Sequence, residues 1–286
     1  TGLVDVLHQC LSAARIAVST TYHQHAKSRR SFGVGTWAPA LVILATAVIV
    51  WQLYTTRSGI DPRVLPSPSR IAVAGWTARS ALWANTIPTL QETALGFTLA
   101  TIVGFGFSIV IDASRILRNA IMPLLIGSQT LPLVAIAPLV IIWFGFGITP
   151  KILLIALLSF FPITVAFLEG YRATDPDIER LLATMGATRW RIFRTARLPT
   201  AMPFFFTGLR IAITYSIVVA IFAEYAGATS GLGIYIQQLT NVYRTDLVFA
   251  AIIVTTGVTI VLFAATYALE RLMIPWYRRS RGSQPR

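Results

Sequence analysis

Apolar residues run almost without interruption through six stretches of the chain: 37–55, 89–111, 120–143, 150–170, 202–224 and 247–272. A helix needs about 20 such residues to cross ~30 Å of hydrocarbon. Each stretch therefore predicts a membrane span, and the chain reads as an all-α membrane protein with about six transmembrane helices. The third stretch contains Pro123, Pro132 and Pro138 and is expected to be kinked or broken. Breaks of this kind survive in membranes where other helices or a watery cavity satisfy the freed backbone groups.

Between the fourth and fifth stretches the pattern changes to ERLLATMGATRWRIFRTARLPTAMP, Glu179 to Pro203. Asp175 is placed to cap a helix, Pro176 suits its first position, and Asp177 and Glu179 favour the positive end of its dipole. A helix from about Pro176 to Met185 follows, stopped at Gly186, which tolerates a left-handed backbone. Thr188 caps a second short helix whose Ile192, Phe193 and Ala196 share one face, opposite Arg191 and Arg194. Pro199 and Pro203 are expected to end it and begin the next span. The product is a rigid elbow with an apolar knob and a basic rim, suited to a groove on another protein. An ordinary basic loop resting on lipid is the plainer alternative.

Composition agrees with a membrane protein: 55 % of residues are hydrophobic, 12 % are charged, and the mean hydropathy is +0.67. The net charge of +13 is spread between apolar stretches, so it implies no nucleic-acid partner. It does orient the chain. With the N-terminus inside, the inner segments hold 17 Lys and Arg and the outer segments 6, which predicts cytoplasmic termini and a cytoplasmic elbow. The segmentation is a cytoplasmic tail (1–36), in which Leu3–Val18 forms an amphipathic tract, a membrane domain (37–276) containing the elbow at about 175–199, and a basic cytoplasmic tail (277–286). The stretch Lys27, Arg29, Arg30 reads as the inner flank of a retained first span rather than part of a cleaved leader.

The chemistry available to the chain is narrow. A single cysteine, Cys10, excludes an intrachain disulfide. His8, His23 and His25 all lie in the N-terminal tail, and a solvated tail is favoured over a metal site. The sequence contains no phosphate loop, no HExxH and no GxSxG, and its two lysines, Lys27 and Lys151, sit in the wrong surroundings for a phosphate loop. No enzymatic activity is expected of this chain. Arg210, inside a span, either holds an anionic substrate or balances a carboxylate, with pairing favoured. Glu224 is expected near the outer end of the same span, as a gate or helix-end ion pair. Gln129 and Thr130, beside the break at Pro132, either line the pathway or bond between helices. Gly231-Leu232-Gly233 predicts a turn before a short amphipathic segment, Ile234–Leu239.

Gly186, followed thirteen residues later by Pro199 in the Leu198-Pro199 pair, resembles the cytoplasmic motif of ABC-importer permeases. Arg180 stands where the motif has Glu, Leu181 and Leu182 where it has small residues, and Ala196 where it has Ile. Further stretches resemble the nitrate/sulfonate/taurine branch: LPSPSRI (Leu65 to Ile71), IAPLVIIWFGFGITPKI (Ile136 to Ile152), FFPI (Phe160 to Ile163), LPTAMPFFFTGLRIAI (Leu198 to Ile213) and AEYAGATSGLGIYI (Ala223 to Ile236). The resemblance implies a type I importer permease fold with cytoplasmic coupling helices, in a bacterial inner membrane. It further implies a second permease copy, an external substrate-binding protein, and two ATPase subunits that bind ATP and Mg. The residues it implies for ATPase coupling are Arg180, Gly186, Ala187, Arg189, Trp190, Phe193, Leu198 and Pro199. Implied substrates are small anions such as sulfonates, taurine or nitrate, with a vitamin precursor or other organic solute as the alternative. A gradient-driven secondary carrier is disfavoured because the spans show no acidic pair and no clear inverted repeat.

Overall fold

The computed structural model describes residues 38–128 and 132–275. Among these residues every regular element is helical. In chain order they are α1 (Ala38–Arg57), α2 (Pro68–Thr77), α3 (Arg79–Asp112), α4 (Arg115–Ser128), α5 (Leu133–Phe144), α6 (Ile148–Arg172), α7 (Pro176–Thr184), α8 (Arg189–Ile192), a π-helical turn (Phe193–Arg197), α9 (Leu198–Tyr225), α10 (Leu232–Asn241) and α11 (Thr245–Met273). Leu3–Val18, Cys10, the three histidines, Gln129, Thr130 and the tail 277–286 lie outside the described residues.

Five helical runs are long and apolar enough to cross a membrane: α1, α3, α6, the continuous run Arg189–Tyr225, and α11. The predicted stretch 120–143 is interrupted at Pro132, which is extended at φ −70°, ψ 112°, while Pro123 and Pro138 are carried inside α4 and α5. The described α4 and α5 have 14 and 12 residues, about 21 and 18 Å at 1.5 Å per residue. α3 begins at Arg79 rather than near residue 89, because Pro88 is carried inside the helix. Its 34 residues reach about 51 Å and outrun the hydrocarbon.

Among the described residues, those through Tyr54, most of α1, form one unit, and those from Thr55 form a second. In the second unit α6 packs along α3 on one side and α9 on the other. Lipid tails are as apolar as leucine, so close packing rather than hydrophobic transfer must hold these helices together. α3 offers α6 a buried ridge of small residues four apart: Gly96, Ala100, Gly104 and Ser108. α9 buries Ala201, Gly208, Ala212, Ser216 and Ala220. A Cβ on Gly170 would lie 2.7 Å from the Ala201 Cα, and one on Gly208 would lie 2.6 Å from the Ala166 Cβ and 3.0 Å from the Pro162 carbonyl oxygen. The backbones therefore approach as closely as they can. Midway along, Ser159 and Ser216 share a hydroxyl hydrogen bond of 2.7 Å. Toward the α7 end aromatic rings fill the core: Phe167 stacks on Phe205 at 4.4 Å and meets Phe105 at 5.1 Å.

Magnitudes separate the two sources of this packing. Gly208→Val is expected to destabilise the protein by about 1–3 kcal/mol through overpacking, whereas Ser159→Ala, which removes one hydroxyl of the pair, should cost about 0.6 kcal/mol. Thermal unfolding in detergent, followed by tryptophan fluorescence, tests the order. A larger loss in Ser159→Ala would show that hydrogen bonding, not close approach, joins α6 to α9.

Candidate functional site

The elbow forms from local signals. Asp175 caps α7 by accepting the Asp177 N–H at 2.9 Å, and Pro176 opens the helix. At its far end Gly186 takes φ +81°, its N–H donates to the Ala183 carbonyl at 3.0 Å, and the Ala187 N–H donates to Leu182 at 3.0 Å. These two bonds are the paired closure that a left-handed glycine allows at a helix C-terminus. Thr188 then accepts the Arg191 N–H at 3.3 Å and caps α8. The bend expected at Met185–Ala187 is present.

The end of the second helix differs from expectation. Pro199 and Pro203 do not break it, and α8 continues through the π-helical turn into α9. The Leu198 N–H reaches back to the Phe193 carbonyl, and this wider turn precedes Pro199, which sits in the first turn of α9 where its missing N–H leaves no gap. The elbow's second arm and the following span are thus one helical rod.

Phe193 requires a second correction. Its ring is buried in this chain's own core, 5.4 Å from Tyr171, with Trp190 stacked over it at 5.5 Å. The large apolar side chains that the elbow does expose are Ile178, Leu181, Met185 and Trp190. Arg180 and Arg189 are exposed, and Arg180 pairs with Asp177 at 3.2 Å. Ala187, Leu198 and Pro199 are half-buried.

Beneath the elbow lies a charge cluster centred on a residue with no obvious signal in the sequence. Asp112, the last residue of α3, receives Arg197 in a two-pronged contact, Nη1 to Oδ2 at 2.5 Å and Nη2 to Oδ1 at 3.1 Å. Arg118 of α4 also pairs with Asp112. The Arg197 Nε lies 3.1 Å from Glu179 of α7, and its guanidinium stands over the Tyr171 ring at 5.9 Å.

At the opposite end of α9, Glu224 is 0 % exposed. Thr89 donates to its Oε1 at 2.6 Å and the Gly233 N–H donates to its Oε2 at 2.5 Å. The Leu232 N–H reaches Thr89 at 2.9 Å and the Gly231 N–H reaches Asn85 at 3.1 Å. The unpaired amides that begin α10 are thus met by α3 and α9, and the positive end of the helix faces a carboxylate. Glycine is required here, because a Cβ on Gly231 or Gly233 would overlap the Glu224 side chain. One turn further along α3, Glu92 forms a buried pair with Lys151 of α6 at 2.5 Å. That pair borders a cavity of about 410 Å³ walled by Gln91, Phe146 and the backbone of 227–230.

Glu92 and Glu224 are both buried, and Glu224 accepts from Thr89, one turn from Glu92 on α3. Two buried acids thus lie within the spans, against the expectation of no acidic pair, and Lys151 is buried against Glu92. Arg210 pairs with Glu270 of α11 and reaches Thr207 at 3.2 Å. It balances a carboxylate, as favoured. The structure thus groups the predicted residues at two ends: Gly186, Trp190 and Phe193 with the elbow, Glu224 with the opposite end. Gln129 and Thr130 are not among the described residues. Glu92, Asp112, Arg118 and Arg197 were missed, since their partners are distant in sequence or polar at only one position.

Comparison with known proteins agrees with this all-helical, multi-span architecture. The formylaminopyrimidine transport permease protein ThiX of Halalkalibacterium halodurans is 34 % identical over 242 residues, which cover 84 % of this chain and 96 % of that protein. The riboflavin transport system permease protein RibX of Chloroflexus aurantiacus is 35 % identical over 243 residues, 83 % and 91 % of the two chains. The taurine transport system permease protein TauC of Escherichia coli is 31 % identical over 241 residues, 82 % and 88 %. Among solved structures, the inward-facing MetNI methionine ABC transporter aligns with a TM-score of 0.58 at 17 % identity over 69 % of this chain and 96 % of that one. An amino acid ABC transporter with histidines aligns at 0.56 and 18 % identity, over 71 % and 97 %. The type I importer permease fold is therefore shared even where sequence is not. Residues 96–278 match the family described as binding-protein-dependent transport system inner membrane component, and the chain belongs to that family of ABC-importer permease subunits.

Proposed function

We propose that the elbow of this permease docks on an ATPase subunit and that two ATPase copies, two permease copies and an external binding protein form the working importer. The observation that carries the reading is the bend at Gly186: two capped helices meet at a left-handed glycine and present Leu181, Met185 and Trp190 to a partner. ATP and Mg are bound by the ATPase subunits, and this chain catalyses nothing. Charge distribution supports cytoplasmic termini and a cytoplasmic elbow in the inner membrane of a bacterium, with the membrane domain spanning about 37–276 between two tails. Closure of the ATPase pair would move the elbows and reorient the pathway by rigid-body motion. Family membership, rather than the absence of an acidic pair, separates this mechanism from that of a gradient-driven carrier.

The substrate is a small organic solute handed over by the binding protein. The relatives at 34 % and 35 % identity are permeases for formylaminopyrimidine and riboflavin, which favours a heteroaromatic solute. A sulfonate such as taurine is the second reading, from the relative at 31 %. Vesicles containing the complex, supplied with labelled riboflavin, formylaminopyrimidine or taurine, decide between them. ATP-dependent uptake of taurine alone would reverse the order, and uptake without ATPase subunits that collapses with an ionophore would remove the ABC mechanism.

Gly186→Val should strain the turn by about 1–2 kcal/mol and separate ATP hydrolysis from uptake while membrane insertion is unchanged. Wild-type coupling in that variant would count against the elbow. Trp190→Ala should reduce co-purification of the ATPase subunit without lowering the permease's unfolding temperature. Phe193→Ala should show the reverse emphasis, destabilising the permease itself by about 3–5 kcal/mol. Equal stability of the two variants would mean that the Phe193 ring is not part of the core.

A further inference from the structure

The cluster beneath the elbow contains more order than a surface ion pair needs. Asp112 stands at the C-terminus of α3, where the helix dipole opposes a negative charge, so it is not there to finish its own helix. Its side chain is 4 % exposed. Its two oxygens are both taken by Arg197, and Arg118 adds a second cation. The Arg197 Nε also lies 3.1 Å from Glu179, an ion pair without hydrogen-bond geometry. Two acids and two bases, from α3, α4, α7 and the π-helical turn, neutralise one another within a single contact set.

The position of the cluster matters as much as its charge. No residue of α7 is buried, so apolar packing does not fasten this arm to the bundle. Displacement of α7 therefore enters the membrane part through the chain at its two ends and through Glu179–Arg197. Arg197 closes the π-helical turn at the root of α9, while Asp112 and Arg118 bracket the corner from α3 into α4, the first half of the broken span. Buried pairs of this kind add little net stability relative to apolar residues but fix geometry strongly once present. Arg is suited to the task because its planar fork holds two partners in set directions, which Lys cannot do.

We infer that Asp112 and Arg197 are positioning residues which, with Arg118 and Glu179, clamp the elbow to the α3–α4 corner and carry its displacement into the broken span. This rests on the elbow being the docking element proposed above. Spin labels at Ile116 on α4 and Leu272 on α11, both strongly exposed, in a Cys10→Ser background, report movement of the corner. The complex with its ATPase subunits is measured before and after ATP, Mg and vanadate.

In the otherwise wild-type complex the distance distribution shifts on nucleotide trapping. In Asp112→Asn and Arg197→Lys, ATP is still hydrolysed but the ratio of shifted to unshifted population falls about tenfold, as expected for loss of a charge-assisted hydrogen bond. A purely stabilising pair would lower the unfolding temperature and leave the shift in place, and that result overturns the clamp. Glu179→Gln, at a more exposed position, must also reduce the shift, so the test stands even if the buried variants fail to assemble. If the otherwise wild-type complex neither binds ATPase subunits nor shifts, the docking proposal itself is what fails.

Discussion

Close approach of α6 and α9 is the constraint on which the other features depend. In hydrocarbon the helices gain nothing from hiding apolar side chains from lipid, so only contact geometry can select this pairing. Gly170 against Ala201, and Gly208 against Ala166 and Pro162, allow backbone to meet backbone. Because α9 is continuous with α8, the same contact sets the angle at which the elbow leaves the membrane. The elbow's second arm is rigid for a reason that lies inside the bilayer.

Polar groups follow from that packing. A charge within the spans is tolerated only where helices enclose it with partners, and the α3–α6–α9 trio provides such sites at both ends. Asp112 and Arg197 sit at the elbow end, and Glu92, Lys151 and Glu224 sit at the opposite one. The continuous helical run Arg189–Tyr225 contributes to both, with Arg197 near one end and Glu224 near the other. A rod locked by small residues and ending in two charged contacts cannot bend to satisfy one end alone. Movement at one contact is felt at the other, which is what a transport subunit that alternates between two states requires.

The sequence disclosed what is local and concealed what is distant. The spans follow from apolar length, and the Asp175 and Thr188 caps and the Gly186 stop follow from backbone chemistry acting over three or four residues. The prolines at 199 and 203 misled because their cost depends on the turn in front of them, and a π-helical turn is not visible in residue identities. Phe193 was assigned to the correct face of its helix, but periodicity cannot say whether an apolar face meets a partner or the chain's own Tyr171. Glu92–Lys151 and Asp112–Arg197 join residues 59 and 85 positions apart, and no local signal links them. The ridge of Gly96, Ala100, Gly104 and Ser108 has a spacing of four in the sequence but is not among the expectations drawn from it; the structure shows that it is the face α6 covers.

The broken span gives this rigidity its use. α3, α6 and the run Arg189–Tyr225 are continuous, long and pinned to one another, whereas α4 and α5 are short and interrupted near Pro132. Force entering a structure of stiff rods is expressed where a rod is missing. A continuous third span would share the α3 corner's displacement along its whole length and open nothing. α4 is tied to the corner by Arg118–Asp112 and packs on α3 and α6, whereas α5 packs on α6 and α9. Pro132, extended at the start of α5, therefore separates a helix tied to the charged corner from one packed against the continuous spans.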